Sequence, residues 1–126
     1  MSNKPRILAV DDNAISLKAI DQALRNEYEV IPVNSGDRAI RYLMSEKPDL
    51  VLLDVQMADK DGIETLRELR TMKNGEDLPV IMLTSQNDKD TVLQSSKLGI
   101  DDYVLKPFDS NKLLARVDQT LKNAGR

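Results

Sequence analysis

Short apolar runs alternate along this chain with longer amphipathic stretches, and this alternation limits the fold more than any other feature of the sequence. In the longer stretches apolar residues recur at helical spacing, whereas the short runs have the length and composition of strands. The predicted strands are β1 Arg6–Val10, β2 Tyr28–Val33, β3 Leu50–Asp54, β4 Val80–Thr84 and β5 Asp102–Leu105. The predicted helices are α1 Ala14–Arg25, α2 Ser35–Ser45, α3 Gly62–Lys73, α4 Asp88–Leu98 and α5 Asp109–Asn123. Alternating strands and helices build a parallel sheet with helices on both faces.

The composition of the strands predicts their order in the sheet. β1, β3 and β4 are apolar on both faces, as central parallel strands are. β2 contains Pro32, which cannot donate a ladder hydrogen bond and therefore fits an edge, and β5 is short. These features predict a doubly wound (βα)5 flavodoxin-like three-layer sandwich with the strand order 2-1-3-4-5.

The predicted helices differ in how well they can cover that sheet. The residues expected to face it are Leu17, Ile20 and Leu24 in α1, Ala39, Ile40 and Leu43 in α2, Ile63, Leu66 and Leu69 in α3, and Leu114, Val117 and Leu121 in α5. In α4 the apolar residues Val92, Leu93 and Leu98 are interrupted by Ser95 and Ser96. We therefore expect α4 to bury little and to be the least stable helix, with the fastest hydrogen exchange.

Composition limits the kinds of function this chain can have. Its 126 residues fit one domain, 1–126, with short tails at 1–5 and 124–126. No apolar run is long enough for a membrane span or a signal peptide, so a cytoplasmic location is expected. The chain has no Cys and no His, which excludes disulfides, thiolate metal sites and a phosphohistidine on this chain. A net charge of −3 without a basic run argues against direct binding of nucleic acid.

Polar side chains follow four of the predicted strands, at the point where each strand ends. They are Asp11 and Asp12 after β1, Asp54 at the end of β3, Thr84 and Ser85 at the end of β4, and Lys106 and Pro107 after β5. Ligands of doubly wound sheets bind outside the carboxyl ends of the strands, at the point where the strand order reverses. We therefore expect these residues to form one site.

The residue types in this predicted site indicate its chemistry. Three carboxylates in one pocket repel each other unless a cation lies between them. Oxygen ligands without His or Cys indicate Mg²⁺, with Mn²⁺ able to substitute. A divalent cation together with Lys106 and Thr84 suits the transfer of a phosphoryl group onto an aspartate.

Each of these residues also has a simpler explanation. Asp11 and Asp12 could cap α1, Asp54 could be a turn residue that ends its strand, and Lys106 could lie in a solvated turn. Thr84 could cap the segment that follows it. Each simpler explanation is at least as good for one residue alone, but the coincidence of all of them at the ends of the right strands favours a functional site.

The sequence resembles the receiver domain of two-component response regulators from about Arg6 to about Leu121. The resemblance rests on Asp11-Asp12, Asp54, Met57, Asp61-Gly62, Thr84-Ser85, Gly99 and the stretch Asp102–Phe108. It implies a signalling domain that catalyses only its own phosphoryl transfer and dephosphorylation. It also implies that the phosphodonor is a phosphohistidine on a sensor histidine kinase or a histidine phosphotransfer protein.

The resemblance also implies a role for each matching residue. Asp54 is implied to be the phosphoacceptor, and Asp11 and Asp12 to hold Mg²⁺ together with Asp54 and the backbone carbonyl of Gln56. Lys106 is implied to pair with the phosphoryl group, and the Lys106–Pro107 bond to be cis so that the lysine reaches the pocket.

Further implied roles concern the switch. Thr84 and Ser85 are implied to bind phosphoryl oxygens, and Tyr103 to turn inward when Thr84 moves. The surface formed by α4, β5 and α5 is then the implied output and dimer face. Asp101, Asp102 and Arg116 match the charge pattern of dimerising regulators, whereas Lys112 and Val92 do not. Homodimerisation through the α4-β5-α5 surface therefore stays open.

One departure from the family pattern concerns the loop after Asp54. The family usually has proline after the methionine of this loop, and here the residue is Ala58. We expect a less rigid loop, and we expect Ala58→Pro to stabilise the domain or to tighten Mg²⁺ binding.

Two alternatives to a working receiver fit the sequence less well. A haloacid-dehalogenase-type phosphohydrolase needs a second Asp two residues after its nucleophile, where this chain has Gln56. A receiver-like binding module that has lost phosphorylation lacks the acid pair, the acceptor or the lysine, and this chain has all of them.

Overall fold

The structure, a computed structural model, describes residues 3–58, 60–85 and 96–125. The sheet has five parallel strands in the order β2-β1-β3-β4-β5, which confirms the predicted topology. The strands are β1 Arg6–Val10, β2 Glu29–Val33, β3 Leu50–Asp54, β4 Val80–Thr84 and β5 Asp102–Leu105.

The open edge of β2 shows why Pro32 is tolerated there. The N–H of Glu29 donates to Pro5 and the carbonyl of Val33 accepts from Asp11, so these residues face β1. In a parallel ladder only alternate residues bond to the neighbouring strand, so the backbone groups of Val30 and Pro32 face away from β1. Pro32 therefore stands where no sheet hydrogen bond is lost, on an edge that offers fewer donors to another strand.

The helices in the described residues are α1 Ala14–Leu24, α2 Gly36–Leu43, α3 Gly62–Leu69 and α5 Ser110–Asn123. The side chain before each of them accepts hydrogen bonds from the first free N–H groups of the helix. These N-caps are Asn13, Ser35, Asp61 and Asp109. The prediction of α4 at Asp88–Leu98 falls largely outside the described residues, and of the three residues of that segment that the structure describes, Ser96 and Lys97 are helical.

α3 is shorter than its sequence predicts, because it ends at Leu69 instead of Lys73. The N–H of Thr71 donates to Glu68 and that of Met72 to Leu69, so the backbone tightens into a three-residue pattern. The Thr71 hydroxyl also donates to the carbonyl of Glu68 at 2.7 Å. The periodicity of the apolar residues continues past this point, which is why the sequence did not indicate the end of the helix.

Two apolar clusters fill the spaces between the sheet and its helices. The first packs α1 and α5 against one face of the sheet, through residues that include Ile7, Ala9, Ile20, Leu24, Leu52, Leu113 and Val117. The second packs α2 and α3 against the other face, through residues that include Leu8, Val10, Ala39, Leu43, Leu53, Ile63 and Leu66. The alternation of Ile7, Leu8 and Ala9 between the clusters is that of a strand buried on both faces.

The predicted inward face of α5 needs one correction. Leu113, which the prediction omitted, is fully buried, whereas Leu114 is only partly buried at the margin of the first cluster. Both residues fit a helical stripe with Val117 and Leu121, and the angle at which α5 crosses the sheet decides between them. No helix in the described part of the chain is both long enough and apolar enough to span a membrane.

Candidate functional site

The register of the central strands brings the carboxyl ends of β1, β3 and β4 level with one another. Val10 lies opposite Leu53 and Asp54 lies opposite Leu83. Asp54 is thus the last residue of β3 and is 5% exposed, while Asp11 leaves β1 directly beside it and is fully buried. The ends of parallel strands meet at one edge of the sheet, so the folded chain places the predicted acidic residues together.

The three acidic side chains at this edge form a compact group. One carboxylate oxygen from each of Asp11, Asp12 and Asp54 lies within 4.8 Å of the others. Asp11 and Asp54 are buried and Asp12 is exposed, so the group opens to solvent on one side. Carboxylate oxygens at this separation, with an open side for water ligands, are a donor set that suits Mg²⁺.

Lys106 provides the positive charge of the site. Its Nζ lies 2.7 Å from Asp11 Oδ2 and 3.4 Å from Asp54 Oδ1. The Lys106–Pro107 peptide bond is cis. The same Nζ lies 3.4 Å from the hydroxyl of Ser16, a residue that the sequence reasoning missed. No motif marks Ser16, since only the folded chain brings the first turn of α1 within reach of the lysine that follows β5.

The carboxyl group of Asp54 is electrostatically unusual. Burial and, to a lesser degree, the negative charge of Asp11 raise the pKa of Asp54 from 3.8 to about 6. The ammonium of Lys106 and the backbone N–H of Gln56 act in the opposite direction and lower this pKa. A cation placed among the carboxylates would favour the ionised form still further.

The structure shows that Asp11 and Asp12 do not cap α1, which was the simpler explanation of this acid pair. Asn13, not Asp11 or Asp12, caps α1, because its Oδ1 accepts from the N–H groups of Ile15 and Ser16. Asp11 Oδ1 instead accepts from the N–H of Asn13 at 2.9 Å, which fixes its side chain beneath the lysine. The two carboxylates before α1 are therefore not needed as its N-cap.

Asp12 makes a contact that changes the expectation for Ala58. Its Oδ2 accepts from the backbone N–H of Ala58 at 2.8 Å. Proline has no N–H, so Ala58→Pro would remove this hydrogen bond. From the sequence we expect Ala58→Pro to increase stability or Mg²⁺ affinity, on the assumption that proline breaks no contact. The hydrogen bond to Asp12 removes the physical basis of that expectation.

The remaining predicted residues surround the carboxylates at different depths. Thr84 is 2% exposed, and its hydroxyl donates to the carbonyl of Ser85 at 3.2 Å. Ser85 and Gln56 are exposed. Tyr103 is 44% exposed, so in this structure its side chain lies on the surface of β5.

The comparisons with known proteins identify the family of this chain. A family model described as the response regulator receiver domain matches residues 7–118, which is most of the chain. The chain belongs to the response regulator receiver domain family, whose members are signalling domains of two-component systems.

Similar proteins, found both by sequence and by structure, are response regulators or receiver domains. The chain is 37% identical over 120 residues to the phosphate regulon transcriptional regulatory protein PhoB of Pseudomonas aeruginosa, covering 94% of this chain and 52% of that protein. It superposes on the signal receiver domain of a histidine kinase from Syntrophus aciditrophicus with a TM-score of 0.86, 31% identity, and 97% and 93% coverage. A CheY-like receiver domain protein from Methanospirillum hungatei gives a TM-score of 0.89, 27% identity and 96% coverage of each chain. The chain spans about half the length of the curated relatives it matches.

Proposed function

We infer that this domain accepts a phosphoryl group onto Asp54 and that the modification changes its α4-β5-α5 surface to signal downstream. The observation that carries the proposal is the position of the buried Asp54, whose Oδ1 lies 3.4 Å from the Nζ of Lys106 in an acidic group that opens to solvent at Asp12. A nucleophilic carboxylate, a cation site and a fixed ammonium are the groups that phosphoryl transfer to an aspartate requires.

The residues of the site would divide the work as follows. An Asp54 oxygen attacks phosphorus, the P–N bond of the donor phosphohistidine breaks, and the imidazole leaves with the bonding pair and takes up a proton. Asp11, Asp12, Asp54 and the backbone carbonyl of Gln56 would hold Mg²⁺, which supplies charge neutralisation when bound. Lys106, now bonded to Asp11, would pair with the phosphoryl oxygens.

The signal would leave the site through the neighbouring strands. Thr84 is buried, and it lies opposite Leu105 in the β4–β5 ladder. A new phosphoryl oxygen beside Asp54 would attract the hydroxyl groups of Thr84 and Ser85 away from their present positions. Tyr103, exposed on β5, would then turn inward and change the output surface. The phosphodonor would be a sensor histidine kinase or a histidine phosphotransfer protein.

The first prediction tests the phosphoacceptor directly. The domain is incubated with acetyl phosphate, with Mg²⁺ or with excess chelator, and its intact mass is measured. We expect a gain of one phosphoryl group in the wild type with Mg²⁺ and none in the presence of chelator, because the repelling carboxylates need a cation. Asp54→Asn should not be labelled.

The matched control for this experiment is Asp21→Asn, since Asp21 is an aspartate on the exposed surface of α1 that pairs with Arg25. The Asp21→Asn variant should be labelled to the same extent as the wild type. Equal labelling of Asp54→Asn and the wild type would contradict the assignment of Asp54.

A further inference from the structure

We propose that the backbone N–H of Ala58 is a positioning group for the cation site, because it holds the Asp12 carboxylate toward Asp11 and Asp54. The inference rests on the proposed Mg²⁺ site and adds a function for the loop that follows β3. It assigns to Ala58 a contact that the residue expected from the family pattern, proline, could not make.

The geometry of Asp12 supports this role. The N–H of Ala58 donates to Asp12 Oδ2 at 2.8 Å, a short hydrogen bond to a charged acceptor. With this bond made, a carboxylate oxygen of Asp12 still lies within 4.8 Å of oxygens from both Asp11 and Asp54. The bond therefore does not draw Asp12 out of the acidic group, and the second oxygen of the carboxylate remains available to a cation.

Asp12 needs such support more than its neighbours do. Asp11 is fully buried, bonded to the Asn13 N–H at 2.9 Å and to Lys106 at 2.7 Å, so its orientation is fixed. Asp12 is exposed, and a free side chain at that position would rotate into solvent. Holding it in place before the cation arrives lowers the entropy cost of binding.

The loop can serve as a fixed donor because it is anchored on its other side. The Nζ of Lys60 lies 2.7 Å from Asp37 and 2.6 Å from Glu68, which ties the loop to α2 and α3. The N–H of Gly62 donates to the carbonyl of Val55 at 2.8 Å and closes the loop at its base. These contacts hold Lys60 and Gly62 against the neighbouring elements.

The first part of the test uses the domain without metal. Melting temperature is measured in chelator for the wild type, Ala58→Pro and Ala58→Ser, each with Asp12 intact and with Asp12→Ala. Serine keeps the N–H and proline removes it. We expect Ala58→Pro to lower Tm by about 4 °C with Asp12 intact and to have little effect with Asp12→Ala. Ala58→Ser should change Tm little in both backgrounds.

Comparing Ala58→Pro with and without Asp12→Ala separates the loss of the Ala58–Asp12 hydrogen bond from the backbone effects of proline. One such effect is that proline restricts the conformation of the preceding residue, Met57. An equal fall in Tm in both backgrounds would mean that proline acts through strain, and the proposed contact would be wrong. An unchanged or higher Tm for Ala58→Pro with Asp12 intact would contradict it as well.

The second part measures Mg²⁺ binding by calorimetric titration, without any phosphodonor. Ala58→Pro should raise the dissociation constant for Mg²⁺ about tenfold. This is the low end of the loss in affinity seen when a group that orients a metal ligand is removed, because Ala58 and Asp12 are both exposed to solvent. Ala58→Ser should stay within about twofold of the wild type. If the wild type binds Mg²⁺ and Ala58→Pro binds it equally well, only the positioning role is wrong. If the wild type binds none, the proposed cation site is wrong too.

Discussion

The proposed phosphoryl transfer requires an ionised Asp54, yet the surroundings of this carboxyl group oppose ionisation. Burial and the charge of Asp11 raise its pKa to about 6, and only Lys106 and the N–H of Gln56 offset them. At neutral pH the carboxylate is therefore mostly ionised, but at a cost in stability. A bound cation would remove much of that cost.

This perturbed pKa predicts how metal-free stability depends on pH. The folded pKa lies above the unfolded value of 3.8, so folding favours the protonated form. The cost of the charge is absent below about pH 4, grows between pH 4 and 6 and is complete above pH 6. We predict that Asp54→Asn stabilises the metal-free domain at pH 7 by on the order of 2 kcal/mol, and by much less at pH 4.

Urea unfolding in chelator at both pH values measures this difference. Asp21→Asn, which alters an exposed carboxylate on α1, is the control and should show no comparable gain. A gain from Asp54→Asn of the same size at pH 4 and pH 7 would show that the charge of Asp54 is not its source.

At the scale of elements, Arg70 connects the end of α3 and the α3–β4 connection to the residues that lead into β5. Its guanidinium donates to the carbonyls of Gly75 and Leu78 in the α3–β4 connection, each at 2.8 Å. It also donates to Leu98 at 3.1 Å and to Gly99 at 2.6 Å, just before β5. Arg70 follows the last residue of α3, so its side chain fixes the start of β5 to the end of that helix. The position of β5 matters because it carries Lys106 into the site.

Substitution of Arg70 should therefore cost stability. We predict that Arg70→Ala lowers the free energy of unfolding by about 2 kcal/mol, because several carbonyl acceptors lose a charged donor. Arg70→Lys should have an intermediate effect, since an ammonium cannot reach all of these carbonyls. Arg67, an exposed basic residue on α3, provides the control, and Arg67→Ala should change stability little. Urea unfolding that gives equal values for Arg70→Ala and Arg67→Ala would contradict this account.

At the scale of the whole molecule, the charges expected to bridge a dimer are engaged within one chain. Arg116 donates to both oxygens of Asp102, at 3.0 and 2.8 Å. Asp101 Oδ2 accepts from the N–H of Val80 at 2.9 Å, and the Asp101 N–H donates back to Val80. A dimer that used these side chains would have to share or rearrange these contacts.

We therefore predict that the unmodified chain is a monomer in sedimentation velocity at micromolar concentration. A dimer held by Asp101, Asp102 and Arg116 should form only after Mg²⁺ and beryllofluoride, a mimic of the acyl phosphate, are added. Arg116→Ala should weaken this dimer. Lys112→Ala is the control, because Lys112 departs from the pattern of dimerising regulators. An unmodified dimer that Arg116→Ala dissociates would contradict the prediction.

The sequence by itself determined the strand order of the sheet and which charged residues meet at its edge. Apolar residues on both faces of β1, β3 and β4, and Pro32 in β2, were enough to predict the strand order. A residue at the carboxyl end of a parallel strand, or directly after it, lies at one edge of the sheet, so its position follows from the strand itself. This is why Asp11, Asp54 and Lys106 could be predicted to meet.

Only the tertiary structure decided the contacts that depend on how elements pack or how a loop runs. The choice of Leu113 over Leu114 depends on a crossing angle, and the contact of Ser16 with Lys106 depends on how the first turn of α1 lies relative to the end of β5. The bond between Ala58 and Asp12 joins a backbone N–H to a side chain 46 positions away. Every residue except proline carries that N–H, so no residue type could mark this one as a donor. Its partner is set by the path of the loop in space, which local periodicity and propensity do not encode.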